Sequence, residues 1–307
     1  MNSVSIITVN FNQSFVTEEL LSSISTNNTY PNIEIIVVDN GSKTNDIPEW
    51  QIKYPGIKFI RSEINLGFAG GNNLGVIEAT GKYLFFVNND TEFTPQLIDI
   101  LVNTLDEHPE VGMISPKLMY FDKPDMIQYA GYTPMNYYTC RNHCIGQFET
   151  DKRQYDNITA PTGYIHGAAM MVRREAIEKA GLMAENFFLY YEEFDWCDKI
   201  KKSGYEVWVD TRAMIYHKES ISVGKASGLK EYFMNRNRIL FIRRNAPLQA
   251  RLFFYVYFVC IVTPRNILSY RTKGYKGFSA LLLKAIWWNI TQPADSKKLG
   301  YPINLKA

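Results

Sequence analysis

The sequence predicts an α/β fold, a mostly parallel central sheet flanked by helices, with a helical C-terminal extension. Three observations carry this. Apolar runs with β-branched residues at 4–9, 33–38, 57–60 and 83–87 alternate with segments of helical spacing, a pattern that builds βαβ units with parallel strands. Three of those runs end on polar residues: Asn10, Asp39-Asn40-Gly41 and Asn88-Asn89-Asp90. That edge is where open α/β sheets hold ligands. Residues 230–292 then read as helix, rich in aromatic and basic side chains.

The elements follow in order. Between the first two strands, Val16, Leu20, Leu21 and Ile24 recur at helical spacing. A second helix is expected over 71–80 and a third over 94–108, with Pro95 in its first turn. Residues 118–160 show no sustained period and read as loop. Order returns with a strand at 163–172 (GYIHGAAMMV) and a helix at 174–180 closed by Gly181. A carboxylate-rich helix start at Glu192-Glu193-Phe194-Asp195 follows, then a glycine stop and a strand running to His217. The organisation expected is a catalytic-type domain over 1–229 and a helical, basic and aromatic extension over 230–307.

Composition sets outer limits. With 46% apolar and 21% charged residues the 307-residue chain is globular. The net charge of +2 hides a basic stretch from Lys225 to Lys284 whose single acid is Glu231. Such a tail fits an anionic membrane surface or a phosphate-bearing lipid better than nucleic acid. Residues 252–263 are uncharged and end at Pro264-Arg265, short of the roughly twenty needed to cross about 30 Å of hydrocarbon. They fit a helix in the membrane interface or one packed on the rest of the chain. No signal-peptide pattern precedes the first strand. Four cysteines form no disulfide framework, so a reducing, cytoplasmic setting is expected. Cys140-Arg-Asn-His-Cys144 lacks a second ligand pair for zinc and reads as incidental loop.

Three clusters carry chemistry. Asp39 ends a strand where a carboxylate can accept from a pyrimidine N3–H, or can simply form a turn. NLGFAGGNNLG (65–75) has neither the G-x-G-x-x-G spacing nor the position of a dinucleotide fingerprint. Its small residues still open a helix whose amides can meet an anion. In the triplet 88–90, Asp90 is one carboxylate, and one suffices when diphosphate oxygens and waters complete a divalent ion's shell. Glu192, Glu193 and Asp195 crowd one helix start, where like charge raises at least one pKa and where acids also serve as caps.

Together, SIITVNFN, VVDNGS, NLGFAGGNN, FFVNND and the segment from GAAMMVRREAIEKAG through FFLYYEEFDWCDKIKKSGY resemble family 2 glycosyltransferases of the GT-A fold, over roughly residues 4 to 245. The pattern is most similar to the rhamnosyltransferase-like branch, which uses dTDP-rhamnose in surface-polysaccharide assembly. The resemblance implies an inverting hexosyltransferase moving a sugar from a nucleotide-diphosphate donor (dTDP-rhamnose or a UDP-sugar) to a glycan or lipid-linked saccharide, with loop 118–160 shaping the acceptor side. It implies donor contacts from Thr8, Val9, Asn10, Asp39, Asn40, Asn65, Gly67, Gly71, Asn72, Asn88, Asn89 and Asp90. It places Mg²⁺ or Mn²⁺ on Asp90 and His217, and the general base at Glu193, with Glu192 or Asp195 able to share or take that role. The chain would then be cytoplasmic, peripheral at the inner membrane face if the extension touches lipid. A non-catalytic nucleotide-sugar or carbohydrate-binding protein on the same fold is the alternative. A nucleotidyltransferase would want a glycine-rich basic loop where NFNQSF stands.

Overall fold

The structure is a computed structural model describing residues 1–218, 227–303 and 305. Its elements run β1 (Val4–Asn10), α1 (Ser14–Asn27), β2 (Ile33–Asn40), α2 (Ile47–Lys53), β3 (Lys58–Ser62), α3 (Gly67–Glu78) and β4 (Tyr83–Val87). Next come β5 (Thr91–Phe93), α4 (Leu97–Glu107), β6 (Val111–Tyr120), β7 (Ile127–Tyr129), β8 (Thr159–Pro161), β9 (Ala169–Arg173) and α5 (Arg174–Ala180). The chain closes with α6 (Glu192–Lys202), β10 (Glu206–His217), α7 (Gly228–Asn245), α8 (Leu248–Tyr257), α9 (Thr263–Thr272) and α10 (Phe278–Thr291).

Among the described residues, one sheet has the order β3-β2-β1-β4-β9-β6-β10-β5. The first four strands are parallel, as their alternation with helices predicts. Beyond β4 the sheet is mixed: β9 enters antiparallel to both β4 and β6, and β5 lies antiparallel to β10. Parallel pairing resumes between β6 and β10. β4 is buried at every position, which explains its unbroken apolar run.

Several elements differ from expectation: the strand expected over 163–172 spans only Ala169–Arg173, and α2, β5, β7 and β8 were not foreseen. Helix α3 starts at Gly67, four residues before the expected Gly71, because Gly67 adopts φ +73° and turns the chain into the helix. The fully buried strand β6 has no counterpart in the expected elements and extends to Tyr120, inside the segment read as loop. Pro116 and Lys117 within it mimic a breaker. The pairing with β10 shifts register opposite them, which accommodates the missing N–H. Lys117 reaches Asp151 at 2.8 Å and Asp156 at 2.9 Å, pinning the following loop. The Cys140 and Cys144 thiols, pushed up to about 12 and about 11 by burial, donate to different carbonyls, those of Arg238 and Gln128.

The C-terminal helices share the main core. Ile239, Leu240, Phe241, Phe254, Leu282 and Trp288 bury in the same cluster as Ile7, Phe86 and Trp196. Residues 252–263 do not end a helix at Pro264. A π-turn over Phe258–Val262 joins α8 to α9, with the Thr263 hydroxyl donating to the Phe258 carbonyl at 2.9 Å. Widening the turn absorbs the proline. The resulting helix, Leu248–Thr272, has 25 residues and the length and composition of a membrane-crossing helix.

Helix α7 also fixes the approach to α6. The Asn237 amide donates to the carbonyls of Phe187, Leu189 and Tyr190 at 2.9, 2.8 and 2.8 Å. Arg236, fully buried, donates to the carbonyls of Asn186 and Phe187 and, at 3.0 Å, of Leu299. Asn237→Leu strands the Leu189 and Tyr190 carbonyls. At roughly 1–3 kcal/mol for each unpaired group, toward the low end for these part-buried carbonyls, denaturant unfolding should show a loss of roughly 2–4 kcal/mol.

Candidate active site

The strand ends of β1, β2 and β3 stand in register as Asn10, Asp39 and Arg61. Asn10 Nδ2 donates to Asp39 Oδ1 at 2.9 Å, and the Arg61 guanidinium pairs with Asp39 Oδ2. Arg61 also donates to the Ser42 and Thr44 carbonyls. Its pairing with Asp39 follows from strand register and is invisible in sequence spacing. Asn10 further accepts from the Thr17 hydroxyl at 3.0 Å, and Thr17 accepts from Asn89 Nδ2 at 3.1 Å. One hydrogen-bonded row thus joins Asp39 to the triplet after β4.

A cleft of about 590 Å³ opens beside this row. Of the residues expected at a donor, Val9, Asn40, Asn65, Gly67, Asn72, Asn88, Asn89 and Asp90 line it. Thr8, Asn10, Asp39 and Gly71 lie outside its lining. Thr8 is fully buried, its hydroxyl without a partner among the described residues. The Gly71 Cα faces Val9 and Asn40, so its missing side chain serves close packing. Asn40 braces the glycine-rich turn: it accepts from the Leu66 N–H at 2.9 Å and donates to the Gly67 carbonyl at 3.0 Å. Phe188 and Leu189 form an apolar wall, and Ser227 and Leu229 complete the rim.

Asp90 and His217 meet where β10 runs beside β5. His217 Nδ1 lies 2.9 Å from Gln128 Oε1, so Nδ1–H donates there and Nε2 keeps a lone pair. That Nε2 sits 3.1 Å from Asp90 Oδ1, yet the two form no hydrogen bond, and both are buried without another partner among the described residues. With Nε2 bare the two atoms face each other as electron pairs and could hold a divalent cation. Adjacent ligands at about 2.1 Å from such an ion stand about 3 Å apart. No group of three or more His, Cys, Asp or Glu suited to a metal occurs among the described residues, so an ion held by Asp90 and His217 would need other ligands from a bound molecule or water. Gln128, which orients the ring, was not foreseen from the sequence.

His166 links this pair to the acidic cluster. Its ring packs edge-on to His217 at 5.7 Å, and its Nδ1 accepts from the Ala168 N–H at 3.2 Å. Burial holds it down to about 3, so it stays neutral. The adjacent Gly167 has space for a Cβ only 3.7 Å from the Glu193 side chain.

The three acids at the start of α6 separate by environment. Glu193 is pushed up to about 7 by removal from bulk water, against the backbone amides of the first turn that favour its charge. Glu192 is pushed well above the usual carboxylate range by burial and by the charge of Glu193, and its Oε2 has no partner among the described residues. Asp195 faces elsewhere: it pairs with Arg244 at 2.9 Å and accepts from Asn245 at 2.8 Å. The segment before them is strained, with φ +65°, +72° and +74° at Phe188, Tyr190 and Tyr191.

Known proteins resemble this chain in sequence and in fold. Residues 5–181 match the model of glycosyl transferase family 2. The chain is 23% identical over 223 residues to N-acetylglucosaminyl-diphospho-decaprenol L-rhamnosyltransferase of Mycobacterium tuberculosis, covering 66% of this chain and 71% of that protein. It is 26% identical over 245 residues to the low-salt glycan biosynthesis hexosyltransferase Agl10 of Haloferax volcanii, covering 78% and 75%. Among solved structures, S. aureus TarS 1–349 in complex with UDP-GlcNAc superposes with a TM-score of 0.61 at 16% identity, over 94% of this chain and 80% of that one. The mannosyltransferase PcManGT from Pyrobaculum calidifontis, in complex with GDP-Man and Mn²⁺, gives 0.54 at 16%, over 94% and 87%. These likenesses establish the GT-A fold.

A raised Glu193 has a thermodynamic signature. Its folded form holds the proton more tightly than the unfolded chain, so its contribution to stability is full below the unfolded pKa and is lost as pH rises through about 7. Glu193→Gln should raise the melting temperature above pH 7, with the difference from the parent vanishing toward pH 4.

Proposed function

This chain belongs to glycosyl transferase family 2, and we propose that it is an inverting hexosyltransferase of surface-polysaccharide assembly. The donor is a nucleotide-diphosphate sugar, dTDP-rhamnose or a UDP-sugar, and the acceptor is a glycan or lipid-linked saccharide. The observation that carries this is one carboxyl poised near neutrality, Glu193, reached through His166-Gly167 from the unsatisfied Asp90–His217 pair.

In this reading the diphosphate lies along the cleft between Gly67 and Asp90, and the base reaches the Asn10–Asp39–Arg61 row. Asp39, outside the cleft lining and bonded to Asn10 and Arg61, would accept from a pyrimidine N3–H with its remaining lone pairs. Glu193 takes the proton of the acceptor hydroxyl. That oxygen bonds to the anomeric carbon from the face opposite the diphosphate, whose C–O bond breaks with its electron pair. Asp90 and His217 would hold Mg²⁺ or Mn²⁺, which when bound neutralises the leaving diphosphate. Glu192, kept protonated beside the base, adds no second negative charge. Asp195 is a positioning residue for α6 rather than a rival base, because Arg244 and Asn245 occupy its oxygens.

A lipid-linked acceptor is supported by the name of the mycobacterial relative. It also fits the exposed apolar side chains of α8 to α10, among them Leu252, Val256, Val259, Leu268, Leu283 and Trp287. With the basic residues around them, they suit a peripheral contact at the inner face of the cell membrane.

Glu193→Gln should reduce kcat by about 10²–10⁴-fold and leave nucleotide-sugar affinity nearly unchanged in a donor screen of dTDP-rhamnose and UDP-sugars. In the parent, kcat/KM should rise with pH and level off above about 7. Full turnover in the variant would sink the assignment of the base. Asp90→Ala should abolish Mn²⁺-dependent transfer and the thermal shift that Mn²⁺ causes; unchanged metal response in this variant would overturn the metal pair.

A further inference from the structure

A second cavity, of about 230 Å³, lies between α7, the π-turn and α9, away from the cleft. Arg141, Arg238 and Arg265 line it, with Asn266, Ser269 and Tyr257. Three guanidinium groups around one small cavity repel one another unless an anion sits between them. Among the described residues none of the three forms an ion pair with a carboxylate. Glu231, the one acid of this basic stretch, is engaged by Asn235 and Tyr270. Arg238 is held in place by stacking near Phe254 and Phe258 and by one bond to the Thr139 carbonyl at 2.5 Å. Its Nε is nevertheless buried and unpartnered among the described residues. The cavity concentrates positive charge, which a phosphate accepting from guanidinium N–H groups at its wall would offset.

The cavity is too small for a nucleotide sugar, being less than half the volume of the donor cleft. Its outer wall is apolar. Ile261 lines it while 57% exposed, and Leu252, Val256 and Val259 continue the exposed face along the same helix. On the inner side Phe241, one turn along α7 from Arg238, packs on Tyr191 and Phe194, which flank Glu192 and Glu193, at 5.9 and 6.5 Å between ring centroids. A ligand with a phosphate head, hydrocarbon on one side and a sugar on the other matches all three surroundings.

We infer that Arg141, Arg238 and Arg265 form an anion site for the phosphate or diphosphate of a lipid-linked acceptor, whose hydrocarbon lies along the exposed face of α8 and α9. The inference rests on the proposed glycosyltransferase function and assigns the acceptor's head group within it. The site would hold the lipid phosphate while the attached saccharide extends toward Glu193.

Binding of geranylgeranyl diphosphate to the purified full chain, measured by calorimetry with UDP or dTDP filling the donor cleft, tests this. The probe should bind in the presence of nucleotide, and geranylgeraniol and inorganic pyrophosphate should each bind more weakly. Arg238→Gln and Arg265→Gln should each weaken the probe about tenfold, the order of one charge-assisted contact, without altering nucleotide affinity. Arg265 is exposed, so its variant tests the site without touching the core. Unchanged probe affinity in both variants, displacement of the probe by nucleotide, or no binding to the parent chain would overturn the site. Pyrophosphate binding as tightly as the lipid would overturn the lipid assignment. Any of these with nucleotide-sugar binding intact leaves the proposed function standing, whereas a parent chain that binds no nucleotide sugar overturns that function itself.

Discussion

Arg236 and Asn237, adjacent on α7, hold the backbone from Asn186 to Tyr190, and both sides of the candidate site depend on that hold. Positive φ at Phe188, Tyr190 and Tyr191 costs each residue free energy that local sequence cannot recover. The compensation is tertiary, through carbonyls that would otherwise be buried unpaired. On one side the held segment delivers Glu192 and Glu193 to the start of α6. On the other, the Phe188 carbonyl accepts from the Phe68 N–H at 2.8 Å and so fixes the glycine-rich turn of the donor cleft. Arg236 lies between the rings of Phe233 and Trp288, each 4.7 Å away, and burial lowers it to about 10. The C-terminal helices therefore act as the back wall of the site.

The polar residues at the sheet edge divide into two groups that sequence spacing cannot tell apart. Asn10 and Asp39 spend their hydrogen bonds on neighbours and set the edge rigid. Asn88 and Asp90 line open space, and the latter faces the His217 Nε2, which has no hydrogen bond among the described residues. Asn89 belongs to both, lining the cleft while its amide is bonded to Thr17. Rigidity in the first group is what allows the second to keep unpaired atoms without collapse onto one another.

Much of this was legible in the chain. The β1 to β4 half of the sheet follows from four apolar runs, and the strand ends at Asp39 and Asp90 lie where the alternation predicts. What escaped has physical reasons. Strand β6 hid behind Pro116 and Lys117, whose burial is made tolerable by a register shift and by Asp151 and Asp156 far along the chain. Arg61, Gln128 and His166 act through contacts between separate strands and loops, so no local motif marks them. The different fates of Glu193 and Asp195 follow from α6 turning one toward Gly167 and the other toward Arg244. Spacing alone treats them as equivalent acids.

The π-turn between α8 and α9 carries one residue more than a regular turn of helix. A regular helix advances about 100° per residue, so the extra residue rephases everything after it relative to everything before. Leu252, Val256 and Val259 can then face outward on one side of the turn while Arg265 and Ser269 face the arginine cavity on the other. The feature has the geometry of one extra residue in an otherwise regular helix. Shortening the segment by a single residue would leave its composition and hydropathy almost unaltered, yet would swing its second half through more than a quarter of a circle. Length polymorphism at this point, rather than change of residue type, is thus the kind of variation the architecture is least able to absorb.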